Sequence, residues 1–437
     1  MDSGQSKRIN PAAWVPTLYT AEGLPFVIIA TVTSLMYKSM GVQNAKITFW
    51  TGLMGIPWMI KPLWGPLLEM FKTKKFFVLL TQFVGGVSFG LLALSLHLPH
   101  FFAWSIAVFG LIAINFSVHD TAADGVYVNT LDAKEQAEYV GWQGAAYNVG
   151  KLLSQGAFVM LAGYLEKRMG VMKAWSIVMA AIGGLFVLMS LYHARFLPTG
   201  GKVAVKVESN GDAMRAFWDV IKTFFEKKYI WWGMAFLVVY RFAEGQAIKV
   251  VPLFLREARG KGGLGLSTSQ IGTAYGILPP LAFVAGSIAA GYFTANRGLR
   301  KSLLVLCFAF NLPFFAYAYL ALFQPTSMVL ITFLMAIEYF GYGFGFIALT
   351  LFMMQQIAPG KYKTSHYAFA TSLMQFGCLI PSMASGWLSD KLGYQKFFVW
   401  VMIATIPSFL ITWFVPFRVT GEEGTDPKFS DSTEATV

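Results

Sequence analysis

Twelve times along its 437 residues the chain runs for twenty or so positions with little charge, and a stretch of that length and character can cross a bilayer as one helix. The stretches fall at about 12–37, 47–68, 76–97, 101–127, 139–163, 173–195, 229–255, 268–293, 301–322, 327–352, 364–387 and 395–416. Several exceed twenty residues, which implies tilt or extension into the interface. Only 13% of the residues are charged, against roughly 25% in a soluble domain. Most of the surface must therefore face something other than water, which excludes the two or three soluble domains that the length alone would allow. Cys307 and Cys378 lie in apolar stretches without metal-ligand spacing and read as core fillers. Neither a metal nor a cofactor is expected.

Loop charge gives an orientation. With the N-terminus in the cytoplasm, 20 of the 34 Lys and Arg residues fall on that side, ten fall opposite and four lie inside the apolar stretches. This bias places both termini in the cytoplasm and accounts for the net charge of +12 without a nucleic-acid partner. The opening "MDSGQSKRIN" is polar and short, and no cleavable signal peptide is expected. Residues 196–228 open with the breaker cluster "LPTGG" and continue into "AFWDVIKTFFEKK", whose apolar spacing predicts an amphipathic helix on the cytoplasmic membrane surface. The expected organisation is a six-helix half at 1–195, this linker at 196–228, a second six-helix half at 229–418 and a disordered cytoplasmic tail at 419–437.

The halves repeat each other. Ala-Glu-Gly occurs in the first and seventh stretches, around Glu22 and Glu244, and "TGLMGIP" (51–57) matches "TAYGILPP" (273–280) in the second and eighth. Glutamate and glycine are 33 residues apart in one copy and 32 in the other, and short basic loops follow both. Two parallel six-helix repeats are the organisation of major facilitator transporters. The expected fold is thus all-α, with twelve transmembrane helices in two pseudo-symmetric halves.

An ionisable side chain at membrane depth costs about 2.5–3.5 kcal/mol even on insertion scales, so it must face the bundle interior, a partner or water. These are Glu22 in helix one, Lys61 in two, Asp120 and Asp124 in four, Lys151 in five, Arg241, Glu244 and Lys249 in seven, and Glu338 in ten. By resemblance to the superfamily, helices one, four, seven and ten line a central cavity. Asp120 and Asp124 share one helix face. They are either a titrating pair that carries protons, with Glu22 and Glu338 as further candidates, or a helix-locking pair with Lys61 as counter-ion. Arg241 and Lys151 are candidates for an anionic part of a solute, since guanidinium grips carboxylates and phosphates bidentately. Arg241 can equally serve only to neutralise Glu244, making that pair structural. Trp142, Gln143, Tyr147 and Asn148 on helix five, and Tyr339 and Tyr342 on helix ten, offer stacking and hydrogen bonds suited to a sugar. "HDTAAD" (119–124) also fits the H-x4-D pattern of acyltransferases, but no companion motif supports an enzyme.

"GPLLEMFKTKK" (65–75) resembles the superfamily loop that latches the cytoplasmic gate, with Gly65, Glu69 and Lys72 in the matching places. The segment from His119 to Phe158 resembles the helix four–five region of the AmpG-type muropeptide permeases and the wider peptide–acetyl-coenzyme A transporter family. Asp120 and Asp124 fall on that family's two aspartates, while His119 replaces its usual Gln. "EGLP" (22–25) and "KPLWGPLLE" (61–69) resemble its first two helices. The resemblance implies a proton-driven importer of muropeptide-like solutes in a bacterial inner membrane, whose partners are a small solute, protons and lipid. The departures at Glu22 and His119 leave another saccharide, an anionic metabolite or a coenzyme A derivative open.

Overall fold

A computed structural model describes residues 9–61, 64, 68, 73–131, 133–200, 210–359 and 362–417. Hydrocarbon offers no partner to backbone N–H and C=O groups, so each crossing satisfies its own as a helix. Among the described residues there are twelve. The first half comprises α1 (Pro11–Ser39), α2 (Asn44–Leu53 and Ile56–Met59), α3 (Lys74–Ser95), α4 (Phe101–Thr130), α5 (Ala133–Leu152, Leu153–Phe158 and Val159–Met169) and α6 (Val171–Phe196). The second comprises α7 (Ile230–Tyr240 and Phe242–Arg256), α8 (Thr268–Gly276 and Leu278–Arg297), α9 (Leu299–Phe323) and α10 (Met328–Ile357). It ends with α11 (363–392) and α12 (394–414), which are separated by Gly393 at φ 71°. A linker helix, Asn210–Phe225, joins the halves. It docks on the start of α11, where Tyr362 donates to Asp219 at 2.5 Å and Phe224 packs against the rings of His366 and Phe369. The tail at 419–437 and the gating residues Gly65, Glu69 and Lys72 lie outside the described residues.

The repeated motif acquires a physical meaning. "TGLMGIP" breaks α2 at Met54–Gly55, and "TAYGILPP" breaks α8 at Ile277. In both copies proline occupies the first turn of the continuing segment, where its missing N–H removes no helical bond. α7 breaks at Arg241, and α1, α5 and α10 carry π-turns at Ile28–Val32, Leu153–Phe158 and Met353–Ile357.

Three apolar cores show how the halves meet. One runs through both, joining Ile28, Val32 and Ile47 to Val250, Val251, Phe254, Tyr394 and Phe398. It lies at the end away from the termini, here called the remote end. Toward the termini each half has a core of its own, around Trp14, Tyr19 and Val126 in the first and around Phe236, Phe310 and Phe352 in the second. The molecule is therefore shut at the remote end. Polar contacts reinforce the closure: Lys38 pairs with Glu257, Asn44 donates to the Tyr394 hydroxyl at 2.8 Å, the Ala45 amide donates to Asp390 at 3.1 Å, and Thr268 donates to Glu166 at 2.6 Å. Burial alone would raise the Glu257 carboxyl, but Lys38 and the Ala258 amide hold it below its ordinary range.

Close helix approach supports both kinds of contact. A Cβ on Gly150 would lie 2.6 Å from Thr20 O, within the first half; one on Gly163 would lie 2.1 Å from Ser269 N, across the halves. Gly150→Val is expected to lower folded yield and Tm, because it separates α1 from α5. Gly163→Val should remain monodisperse yet open the remote end, read as faster modification of a Ser269→Cys thiol by an impermeant maleimide. Equal collapse of both variants would show that the halves fold as one unit.

Candidate functional site

The first charged cluster is built by three helices of the first half. α2 brings Lys61 between two carboxylates of α4: its ammonium lies 2.6 Å from Asp120 Oδ2 and 3.0 Å from Asp124 Oδ2. The i,i+4 spacing that put both aspartates on one face is what lets a single lysine bridge them. α1 supplies Tyr19, whose hydroxyl donates to Asp124 Oδ1 at 3.3 Å. One turn on it supplies Glu22, which sits beside Asp120. Glu22 Oε2 is buried and makes no hydrogen bond of its own. Three carboxyls thus share one ammonium. With all three ionised, the cluster carries two uncompensated negative charges, an expensive state away from water. A proton on one carboxyl relieves it, and Glu22 has the vacant oxygen to carry one.

The second cluster is balanced. α7 breaks at Arg241, and Glu244 stands in the first turn of the segment that follows, where the helix N-terminus favours an acid. Arg241 grips it bidentately, Nε to Oε2 at 2.6 Å and Nη2 to Oε1 at 2.7 Å. Its Nη1 donates to Gln375 Oε1 at 2.7 Å, and its guanidinium lies 5.6 Å from the centre of the Phe346 ring. Both residues of the pair are 4% exposed. Glu338, also buried, accepts from the Tyr317 hydroxyl at 2.9 Å.

Lys151 differs from the other intramembrane cations. It is half-buried on α5, and its ammonium faces rings rather than oxygen acceptors, lying 6.0 Å from the Tyr147 ring centre and 5.1 Å from that of Phe283 on α8. Tyr342 packs against the same Phe283 at 5.2 Å, tilted, and edge-on against Phe346 at 5.6 Å. Lys151, Phe283, Tyr342 and Arg241 therefore line one continuous aromatic wall across the two halves. Tyr339 reaches over to donate to Gln155 Oε1 at 3.5 Å. Asn148 donates to Gly144 O of its own helix at 2.9 Å, Gln143 is half-buried and Trp142 is 60% exposed. His119 is buried on α4, its Nε2 held by Gln82 at 3.0 Å and its Nδ1 unpartnered. Sequence reasoning did not single out Tyr19, Gln155 or Gln375. The available signal was a polar side chain within an apolar stretch, which is too common to select these three.

The Major Facilitator Superfamily model matches residues 18–380. The chain is 22% identical over 413 residues to the putative transporter AmpG 4 of Rickettsia felis, covering 91% of this chain and 94% of that one. It is 22% identical over 403 residues to the anhydromuropeptide permease of Escherichia coli K12, covering 90% and 77%. Among solved structures, a point mutant of the nucleoside transporter NupG superposes with a TM-score of 0.72 at 12% identity, covering 92% of this chain and 99% of that one. The D-xylose–proton symporter gives 0.69 at 15% identity, covering 93% and 98%. These structural likenesses carry the fold.

Glu244→Ala leaves the Arg241 guanidinium buried and unpaired, which costs about 3–5 kcal/mol, so Tm should fall sharply. Combining Arg241→Met with Glu244→Leu removes both charges and should recover most of that loss. A Glu244→Ala protein that melts like wild type would show that water reaches Arg241.

Proposed function

The chain belongs to the Major Facilitator Superfamily and is a multi-pass membrane transporter; from that premise we propose that it imports an amino-sugar or muropeptide-like solute together with protons, across a bacterial inner membrane and with both termini in the cytoplasm. The observation that carries the proton half of this reading is the arrangement of Glu22, Asp120 and Asp124 around the single ammonium of Lys61. The names of the relatives, a putative transporter and an anhydromuropeptide permease, support the solute class. The excess of Lys and Arg on the terminal side supports the orientation. In that orientation the closed remote end faces the periplasm.

Transport then follows from two halves rocking about a midplane site. With the remote end open, solute and proton enter together. An anionic group of the solute seats on Lys151, the intramembrane cation that faces rings instead of acceptors. Its sugar rings lie along Tyr147, Phe283 and Tyr342, and Gln143, Asn148 and Tyr339 supply hydrogen bonds. Trp142 extends the same wall toward the cytoplasm. Arg241 has three N–H groups committed to Glu244 and Gln375, so in this reading it shapes the site rather than gripping the anion. The proton occupies the Glu22–Asp120 pair and lowers the charge of the cluster. The remote end can then close, and the proton leaves once the cytoplasmic side admits water. Glu338, capped by Tyr317, stays in reserve as the second half's proton-binding group.

Proteoliposome uptake tests the coupling. One proton per solute across one pH unit supports about tenfold accumulation, since that ratio corresponds to about 1.4 kcal/mol. Asp120→Asn and Glu22→Gln should each reduce accumulation of N-acetylglucosaminyl-anhydromuramyl peptide to unity while sparing exchange at equal pH. If both variants still concentrate the solute, the protons travel elsewhere. If wild type exchanges none of this peptide, the solute assignment is wrong.

A further inference from the structure

Lys249 on α7 is placed unlike the other three intramembrane cations. Lys61 and Arg241 face carboxylates, and Lys151 stands in the aromatic wall of the site. Lys249 is 6% exposed and has no carboxylate within ion-pair reach among the described residues. Its three N–H groups point across the boundary between the halves. They meet Ala30 O at 2.7 Å, Thr51 Oγ1 at 3.2 Å and, more weakly, Thr51 O at 3.5 Å. Ala30 belongs to the π-turn Ile28–Val32 of α1, where the regular ladder of backbone bonds is relaxed and a carbonyl can turn to an outside donor.

The surroundings make this costly. Val250, Val251 and Phe254 of the same helix, with Ile28, Val32 and Ile47 opposite, belong to the apolar core that runs through both halves. Packed interfaces of this kind switch between discrete arrangements rather than deforming gradually. A carrier must nevertheless part this one in every cycle. A well-packed apolar core that also carries ion pairs at its rim has no evident means of coming apart.

We propose that Lys249 is a positioning residue that keeps the closed remote end reversible. Closure strips its ammonium of water and returns only neutral oxygens, with no compensating charge; opening rehydrates it. Dehydration of an ion costs several kcal/mol, so that even buried ion pairs are often stabilised by apolar replacement, and an ion given only neutral acceptors recovers less than a pair does. The lysine therefore raises the free energy of the shut state relative to the open one. This inference needs only the alternating-access cycle of the family and is independent of which solute or ion is carried.

The test is the population of the open remote end in the full-length protein in lipid nanodiscs. With Cys307 and Cys378 replaced by alanine, spin labels at Gln43 and Gln395 report the separation of the halves by pulsed dipolar spectroscopy. Lys249→Met should lower the open fraction about tenfold, raise Tm and slow solute-independent opening, seen as reduced labelling of a Ser269→Cys thiol by an impermeant maleimide. A higher open fraction would identify Lys249 as a latch and overturn the proposal. An unchanged distance distribution, with or without a lower Tm, would reduce the residue to packing and also overturn it. If Lys249→Met does not fold, Lys249→Gln keeps a donor while losing the charge, and its distance distribution is read in the same way.

Discussion

Hydrocarbon satisfies no hydrogen bond, and the rest of the structure follows from where this chain departs from plain helix under that constraint. Each irregularity within the crossings has to be answered from inside the protein. The break at Arg241 coincides with a guanidinium tied to Glu244 and Gln375. The π-turn of α1 finds Lys249, and that of α5 brings Ser154 to Leu24 O at 3.1 Å and Gln155 to Thr31 Oγ1 at 3.4 Å. The two π-turns thus lie side by side where the first half meets the second. Irregular backbone is concentrated where a transporter needs its helices to bend and part.

The same constraint gives the repeated glutamates different work. Both halves inherit a carboxylate in their leading helix, but the second half keeps an arginine one turn before it and the first does not. Glu244 is therefore neutralised in place, one cation to one anion. Glu22 instead joins two aspartates around a lysine on another helix, leaving anions in excess. A balanced buried pair has little reason to change its charge state, whereas an unbalanced cluster can exchange protons with any water that reaches it. The duplication supplied symmetry of position, and the neighbours broke the symmetry of chemistry.

Much of this was legible in the sequence, for physical reasons that differ by feature. The twelve crossings showed because their length and apolarity are set by the bilayer. The Arg241–Glu244 pair showed because i,i+3 spacing fixes it locally, and Lys61 was readable as a counter-ion because charges at one membrane depth must find each other. The matching "TGLMGIP" and "TAYGILPP" segments were visible as a repeat, but their role as helix breaks needed the backbone. The π-turns, Gln375 beside Arg241 and the acceptors of Lys249 were not legible. The contacts concerned join residues 124 or more positions apart, and neither periodicity nor composition records which helices touch.

Distribution of cohesion decides which way such a molecule moves. At the remote end one core joins the halves, while toward the termini each half closes on its own. Opening the remote end exposes apolar surface, and closing the other end can bury apolar surface in turn, so the two terms oppose each other and leave a smaller net difference. A small difference between large terms is what lets a few charged groups govern the cycle, since differential interactions of a few kcal/mol then shift the populations decisively. Protons on the unbalanced cluster change the charge that the first half must bury. An ammonium that meets only the oxygens of Ala30 and Thr51 among the described residues would change the cost of the closed seam. Neither would matter in a rigid protein of the same composition; they bear on one whose halves part and meet in every cycle.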